Sequence, residues 1–291
     1  MKEKVRSYAK KLNIDAFGVV SARPMEELRE ILIEKRARFG ITPFEEEDIE
    51  LRVNPKKTME DAKSVLVFLF PYYNGEEGAQ NVSKYARIPD YHKVVKEYLE
   101  KISNFIKGEK PDAKCLCFSD NGPLADKFFA YKAGLGFFGK NTLLISEKYG
   151  SFCFIGYIIT NLLLSPDQPI EKNCGACKRC IDACPGVAIG EKGLCAEKCV
   201  SYITQAKHLT EEQKEILRSQ SFVYGCDICQ NVCPYNQKIP KTKLPEFSKP
   251  MLLDFQKETL DEMSNRAFLN EYGEFPFSWR GKSAIFKNFG R

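Results

Sequence analysis

Residues 174–185 read CGACKRCIDACP, and residues 226–234 read CDICQNVCP. The first stretch sets Cys174, Cys177, Cys180 and Cys184 in a C-x2-C-x2-C-x3-C-P run, the spacing with which bacterial ferredoxins hold 4Fe–4S clusters. The second stretch opens 42 residues after Cys184 and repeats the run without its first ligand, as Cys226, Cys229 and Cys233. In two-cluster ferredoxins the fourth cysteine of a run ligates the other cluster. Cys174, Cys177, Cys180 and Cys233 are therefore expected to share one cluster, and Cys184, Cys226 and Cys229 the other. Two clusters need one thiolate more than these runs supply. Cys195 and Cys199 lie between the runs, and spacing does not choose between them. A zinc site would use paired C-x2-C knuckles, and a third cysteine followed by Cys-Pro departs from that pattern.

The rest of the composition fits a carrier of electrons in a reducing compartment. The chain has 291 residues, 43% hydrophobic and 29% charged, as in soluble globular proteins. Its start, MKEKVRSYAKKLNIDAFGVV, lacks the uninterrupted apolar core of a secretory signal. The most apolar stretch, 152–164, is too short to span a bilayer and is broken by Gly156, Thr160 and Asn161. A cytoplasmic protein is expected, in which cysteine clusters read as metal sites rather than disulfides. The net charge of +5 permits a nucleic-acid partner without requiring one.

Outside the cysteines, periodicity predicts a mixed α/β or α+β domain over residues 1–165. Helices are expected at 1–13, 24–38, 90–107 and 124–133, the third with Val95, Leu99, Ile102 and Ile106 on one face. Strands are expected at 16–22, 64–72, 114–119, 141–146 and 152–163, in a mixed sheet, with 64–72 buried on both faces. Ser165–Pro169 (SPDQP) reads as a linker. Residues 166–240 form the cluster domain, and 241–291 a tail that is Lys-rich early and partly helical.

Two further motifs need weighing. Gly134, Gly136 and Gly139 match G-x-G-x-x-G, but a helix precedes them and a strand follows, the reverse of a dinucleotide site. They read instead as an exit from a helix through the left-handed region, close to something flat or bulky. Asp120-Asn121-Gly122-Pro123 follows a strand, and its residue types alone read as a turn. A carboxylate at the mouth of a strand is also a candidate general acid. His92 and His208 are too few for a histidine-based metal centre.

The series YARIPDYHKVV (85–95), DNGP (120–123), AGLGFFGKNTLLIS (133–146), CGACKRCIDACP (174–185), CVSYIT (199–204) and YGCDICQNVCPYN (224–236) resembles the epoxyqueuosine reductases, in family order. The resemblance implies an N-terminal α/β cobalamin-binding domain related to the flavin-reductase-like fold, followed by a bacterial ferredoxin-like double 4Fe–4S domain. It also implies an activity: reduction of epoxyqueuosine to queuosine at the tRNA wobble position, with electrons passing from the clusters to cobalamin. By the same resemblance Asp120 is the catalytic acid and Cys199 the eighth cluster ligand, leaving Cys195 spare. Tyr91, His92, Asn141, Ser201 and Tyr202 fall in segments that approach cofactor or substrate in the family. The partners implied are the tRNA anticodon loop and an external donor such as a flavodoxin or ferredoxin system, with the enzyme a monomer and no membrane involved. Against the family pattern Asn121-Gly122 stands where Ser-Ala is usual, and a short form without the C-terminal helical-repeat domain of many relatives is expected. A corrinoid reductase of a small molecule and a ferredoxin module serving a partner are the rival readings.

Overall fold

The computed structural model describes all residues except Lys192, Pro250, Gly290 and Arg291. The chain divides into two compact units. The first takes Met1–Pro71, His92–Gly139 and Leu143–Asn173, and the second Tyr72–Tyr91, Lys140–Thr142 and Cys174–Arg291.

In the first unit the chain order is α1 (Lys2–Lys11), β1 (Phe17–Ser21), α2 (Glu26–Phe39), α3 (Ile49–Val53), β2 (Ser64–Pro71), α4 (Tyr91–Glu109), β3 (Cys115–Ser119), α5 (Asp126–Lys132), β4 (Phe137–Phe138), β5 (Leu144–Ile145) and β6 (Cys153–Thr160). The main sheet runs β1-β2-β6-β3. Every residue of β2 is buried, because SVLVFLFP offers an apolar side chain to both faces. Val65, Val67 and Leu69 pack with Leu28 and Leu32 of α2 and with Phe128 and Phe129 of α5. On the other face Gly156 leaves room for Val95 and Leu99 of α4, since a Cβ there would lie 2.7 Å from Val95 Cγ1. The α4 stripe Val95, Leu99, Ile102 and Ile106 is fully buried, as its helical spacing predicts.

Two expectations are corrected. The sheet is antiparallel throughout rather than mixed. An apolar run shows that both faces of a strand are covered, and it does not set strand direction. The strand expected at 141–146 shrinks to Leu144–Ile145, because Thr142 takes φ 61° and interrupts extended backbone. The Ser165–Pro169 stretch belongs to the first unit, where Asp167 accepts from Val19 N at 2.8 Å and Lys2 Nζ lies 2.7 Å from its carboxylate.

The second unit is built from short pieces: α6 (Arg179–Asp182), β7 (Ile189–Gly190), β8 (Gly193–Leu194), α7 (Val200–Ile203), α8 (Glu211–Arg218) and α9 (Ile228–Asn231). The later part adds α10 (Lys257–Glu262), α11 (Asn265–Tyr272) and α12 (Lys282–Phe289). Thr210 and Gln213 close a reciprocal capping box at the start of α8. The tail carries an aromatic core of Phe255, Phe268, Tyr272, Phe275 and Phe277, joined by Val82 and Ala86 from the 72–91 segment. The α+β class expected from the sequence is the class observed.

Candidate functional site

The two cysteine runs fold alike. Cys180 is the second residue of α6 and Cys229 the second residue of α9, each followed by a Cys-Pro stop at Cys184-Pro185 or Cys233-Pro234. The thiols group across the runs rather than along them. Burial raises the Cys180 pKa, with Cys174 next, and Cys233 and Cys177 add to it. Burial likewise raises Cys233, with Cys174 and Cys177 reinforcing it. In the other group burial pushes Cys226 up to about 12, with Cys199 and Cys184 contributing. Cys229 is raised first by burial, then by Cys226 and Cys199. The structure thus brings Cys174, Cys177, Cys180 and Cys233 together, and Cys184, Cys199, Cys226 and Cys229 together. Such thiols resist ionisation until metal binds and removes their protons outright. Cys195 caps the β7–β8 hairpin, its N–H donating to Ala188 O at 2.9 Å. Among the described residues no three His, Cys, Asp or Glu side chains converge tightly enough to hold a single ion. A 4Fe–4S cluster spreads four thiolates over four irons, and two interleaved four-cysteine sets fit two such clusters.

The backbone and polar groups around these cysteines are tied down. Asp227 lies between Cys226 and Cys229 and is 1% exposed. Its carboxylate accepts from Lys84 N at 2.6 Å and from Gln230 Nε2 at 3.1 Å, which keeps a buried charge partnered. Lys140 Nζ donates to Gly175 O at 2.7 Å and to Cys177 O at 3.0 Å. Asn141, expected at the cofactor, is 4% exposed and its side chain hydrogen-bonds the Cys229 thiol. Ser201 and Tyr202 lie in α7, immediately after Cys199. Tyr91 sits edge-on to Tyr85, with ring centroids 6.3 Å apart.

In the first unit, β3 delivers the candidate acid. Asp120 leaves that strand at φ 60°, a left-handed conformation that aspartate tolerates better than most residues. Its side chain is 53% exposed, and Oδ2 lies 3.1 Å from His92 Nε2 at the start of α4. Next to it the Ser119 hydroxyl is buried without a hydrogen-bond partner. An exposed carboxylate beside an orphaned hydroxyl can receive a polar ligand at this end of the strand. Gly122 is explained by Tyr157: a Cβ at Gly122 would lie 2.0 Å from the Tyr157 hydroxyl, which accepts from Leu124 N at 3.1 Å. A side chain at position 122 would therefore collide with the ring beneath the turn. Burial pushes the Asp126 carboxyl up to about 7, and the Asp120 charge adds to it. Asp126 keeps some surface in solvent, which screens that repulsion.

The glycine stretch ends α5 rather than binding phosphate. Gly134 at φ 71° donates to Tyr131 O at 3.0 Å and Leu135 N to Ala130 O at 3.1 Å, a Schellman motif. The bulky neighbour is backbone: a Cβ on Gly134 would meet Gln168 O at 2.5 Å. Sequence reasoning missed Ser119, Lys140, Asp126 and Asp227. Only Asp227, a charged residue locked between two cysteines, carried a signal in the sequence.

Two interleaved sets of four cysteines on a repeated short-helix frame define a double-cluster iron–sulfur protein. Residues 173–236 match the 4Fe-4S double cluster binding domain family, and residues 52–121 match the family described as epoxyqueuosine reductase QueG. The epoxyqueuosine reductase of Lactococcus garvieae is 38% identical over 299 residues, covering 99% of this chain and 85% of that one. The solved epoxyqueuosine reductase of Streptococcus thermophilus superposes with a TM-score of 0.91 at 32% identity, covering 99% of this chain and 79% of the other. An epoxyqueuosine reductase solved with a tRNA-Tyr epoxyqueuosine-modified stem loop superposes at 0.89 with 35% identity, over 99% of this chain and 79% of that one. The chain belongs to the epoxyqueuosine reductase family, whose members are oxidoreductases. No helix among the described residues is long and apolar enough to cross a membrane.

Proposed function

We propose that this chain reduces epoxyqueuosine to queuosine at the wobble position of tRNA, the last step of queuosine biosynthesis. The observation that carries this reading is the full-length similarity, at 38% identity over 99% of the chain, to a reductase of that name. A relative seated on an epoxyqueuosine-modified tRNA stem loop supports tRNA as the substrate class. A small-molecule corrinoid reductase is not favoured by similarity of that extent.

In this proposal residues 166–240 carry two 4Fe–4S clusters, held by Cys174, Cys177, Cys180 and Cys233 and by Cys184, Cys199, Cys226 and Cys229. Residues 1–165 bind cobalamin, and the basic tail at 241–291 adds phosphate contacts. When bound, cobalamin supplies a strongly reducing cobalt, fed with single electrons through the clusters from an external flavodoxin or ferredoxin system. Removal of the epoxide oxygen as water breaks two C–O bonds, restores a C=C bond and consumes two electrons and two protons. Asp120 delivers a proton to the departing oxygen. His92, at 3.1 Å, orients the Asp120 carboxyl and reloads it. An exposed pair of this kind is weak, so the carboxyl can exchange its histidine partner for substrate. Ser119 offers its unpaired hydroxyl to the bound ligand. Tyr91, Ser201 and Tyr202 complete the cofactor and substrate contacts. The enzyme works as a cytoplasmic monomer.

Asp120→Asn keeps the shape of the turn and removes the acid. It should retain cobalamin and tRNA binding while turnover falls by about 10²–10⁴-fold, the range typical of a lost general acid. Turnover within a factor of two of the parent chain would return Asp120 to a turn-forming role.

A further inference from the structure

The segment Lys140-Asn141-Thr142 groups with the second unit although its neighbours in sequence do not. Lys140 anchors it by two hydrogen bonds to the backbone of the first cysteine run, at Gly175 and Cys177. Thr142 holds φ 61°, a region that a β-branched residue seldom enters and that persists only where the surroundings dictate it. Between these fixed points Asn141 is buried at 4% exposure, with its side chain on the sulfur of Cys229.

Resting on the reading of Cys229 as a cluster ligand, we infer that Asn141 sets the reduction potential of the cluster held by Cys184, Cys199, Cys226 and Cys229, rather than touching cobalamin. The Asn141 amide is a buried donor held at a ligand sulfur. When the cluster takes up one electron its core gains one negative charge, which spreads onto the ligand sulfurs. A fixed N–H donor stabilises that reduced form and raises the potential. The first cysteine run is met differently, through the backbone carbonyls that Lys140 holds. One short segment thus treats the two clusters unequally, which gives the pair a defined order of reduction.

The test is a redox titration, followed by electron paramagnetic resonance, of the full chain reconstituted anaerobically with iron and sulfide. The parent chain should hold about eight irons. Failure at that stage would overturn the cluster reading and this inference with it, whereas a loaded chain with unmoved couples would overturn the inference alone. Asn141→Leu, which removes the donor, should lower one couple by about tenfold in its oxidised-to-reduced ratio, about 59 mV for one electron, and leave the other in place. Asn141→Ala, which removes the donor without adding bulk or charge, should lower the same couple in the same direction. If the leucine variant loses iron, the alanine variant decides. Unmoved couples, equal shifts in both couples, or loss of iron from both variants would overturn the inference, since a tuning contact leaves ligation intact.

Discussion

The sheet of the first unit keeps every residue of β2 away from water, whereas the cysteines of the second unit sit on four-residue helices and beside two-residue strands, with the eight-residue α8 between them. Helices of one turn do not persist on their own, because nucleation costs more than so few hydrogen bonds return. In the first unit, burial of Phe68, Phe70, Leu66 and their partners supplies the cohesion. Around the cysteines the apolar packing is smaller, centred on Val200, Ile203, Leu217 and Phe222. There ligation of metal is expected to stand in for a core, which would couple folding to cofactor loading. The aromatic tail cluster of Phe255, Phe268, Tyr272 and Phe277 gives the same unit a second, metal-independent centre.

Three interventions can break this contrast. The largest effect is expected from Cys199→Ala, which should remove one cluster and so about half of the bound iron, while Cys195→Ala keeps the full complement. Equal iron in the two variants, measured by chemical assay after reconstitution, would show that the eighth ligand is assigned wrongly. Phe68→Ala should act on the other side of the comparison. Emptying a fully buried phenyl site costs about 3–5 kcal/mol and should lower the thermal midpoint of the first unit. Iron content of the folded protein should stay unchanged, and joint loss of iron and sheet would mean that the units do not separate in this way. The smallest effect concerns Asp126, whose carboxyl is pushed up to about 7 by burial and then by Asp120. Between its unfolded value and that value the native chain holds a proton that the unfolded chain has released. Stability therefore falls as pH rises through this window, and the cost is fully present above it. Asp126→Asn should stabilise the protein at about pH 8 and change little at about pH 4. Parallel stability profiles for parent and variant would show that Asp126 ionises normally.

Much of this organisation is legible in the chain. The β2 run and the buried stripe of α4 follow from short-range spacing, and each is present. What spacing cannot carry is a partner far away in sequence. Lys84 reaches Asp227 across 143 residues, and Asn141 meets Cys229 instead of extending a strand. Antiparallel pairing of β2 with β6 depends on the same kind of distant choice. Asp120 stood between a turn former and an acid on residue type alone. The left-handed backbone, the exposed carboxyl and the histidine at 3.1 Å are consistent with both, since a catalytic carboxyl on a strand-end turn has to satisfy turn chemistry as well.

The most direct test of the account is the nucleoside mass of tRNA carrying epoxyqueuosine after incubation with the iron-reconstituted, cobalamin-loaded and chemically reduced chain. The modified nucleoside should lose the mass of one oxygen atom and co-elute with queuosine. An unchanged epoxyqueuosine peak, from protein shown to hold both clusters and cobalamin, would contradict it.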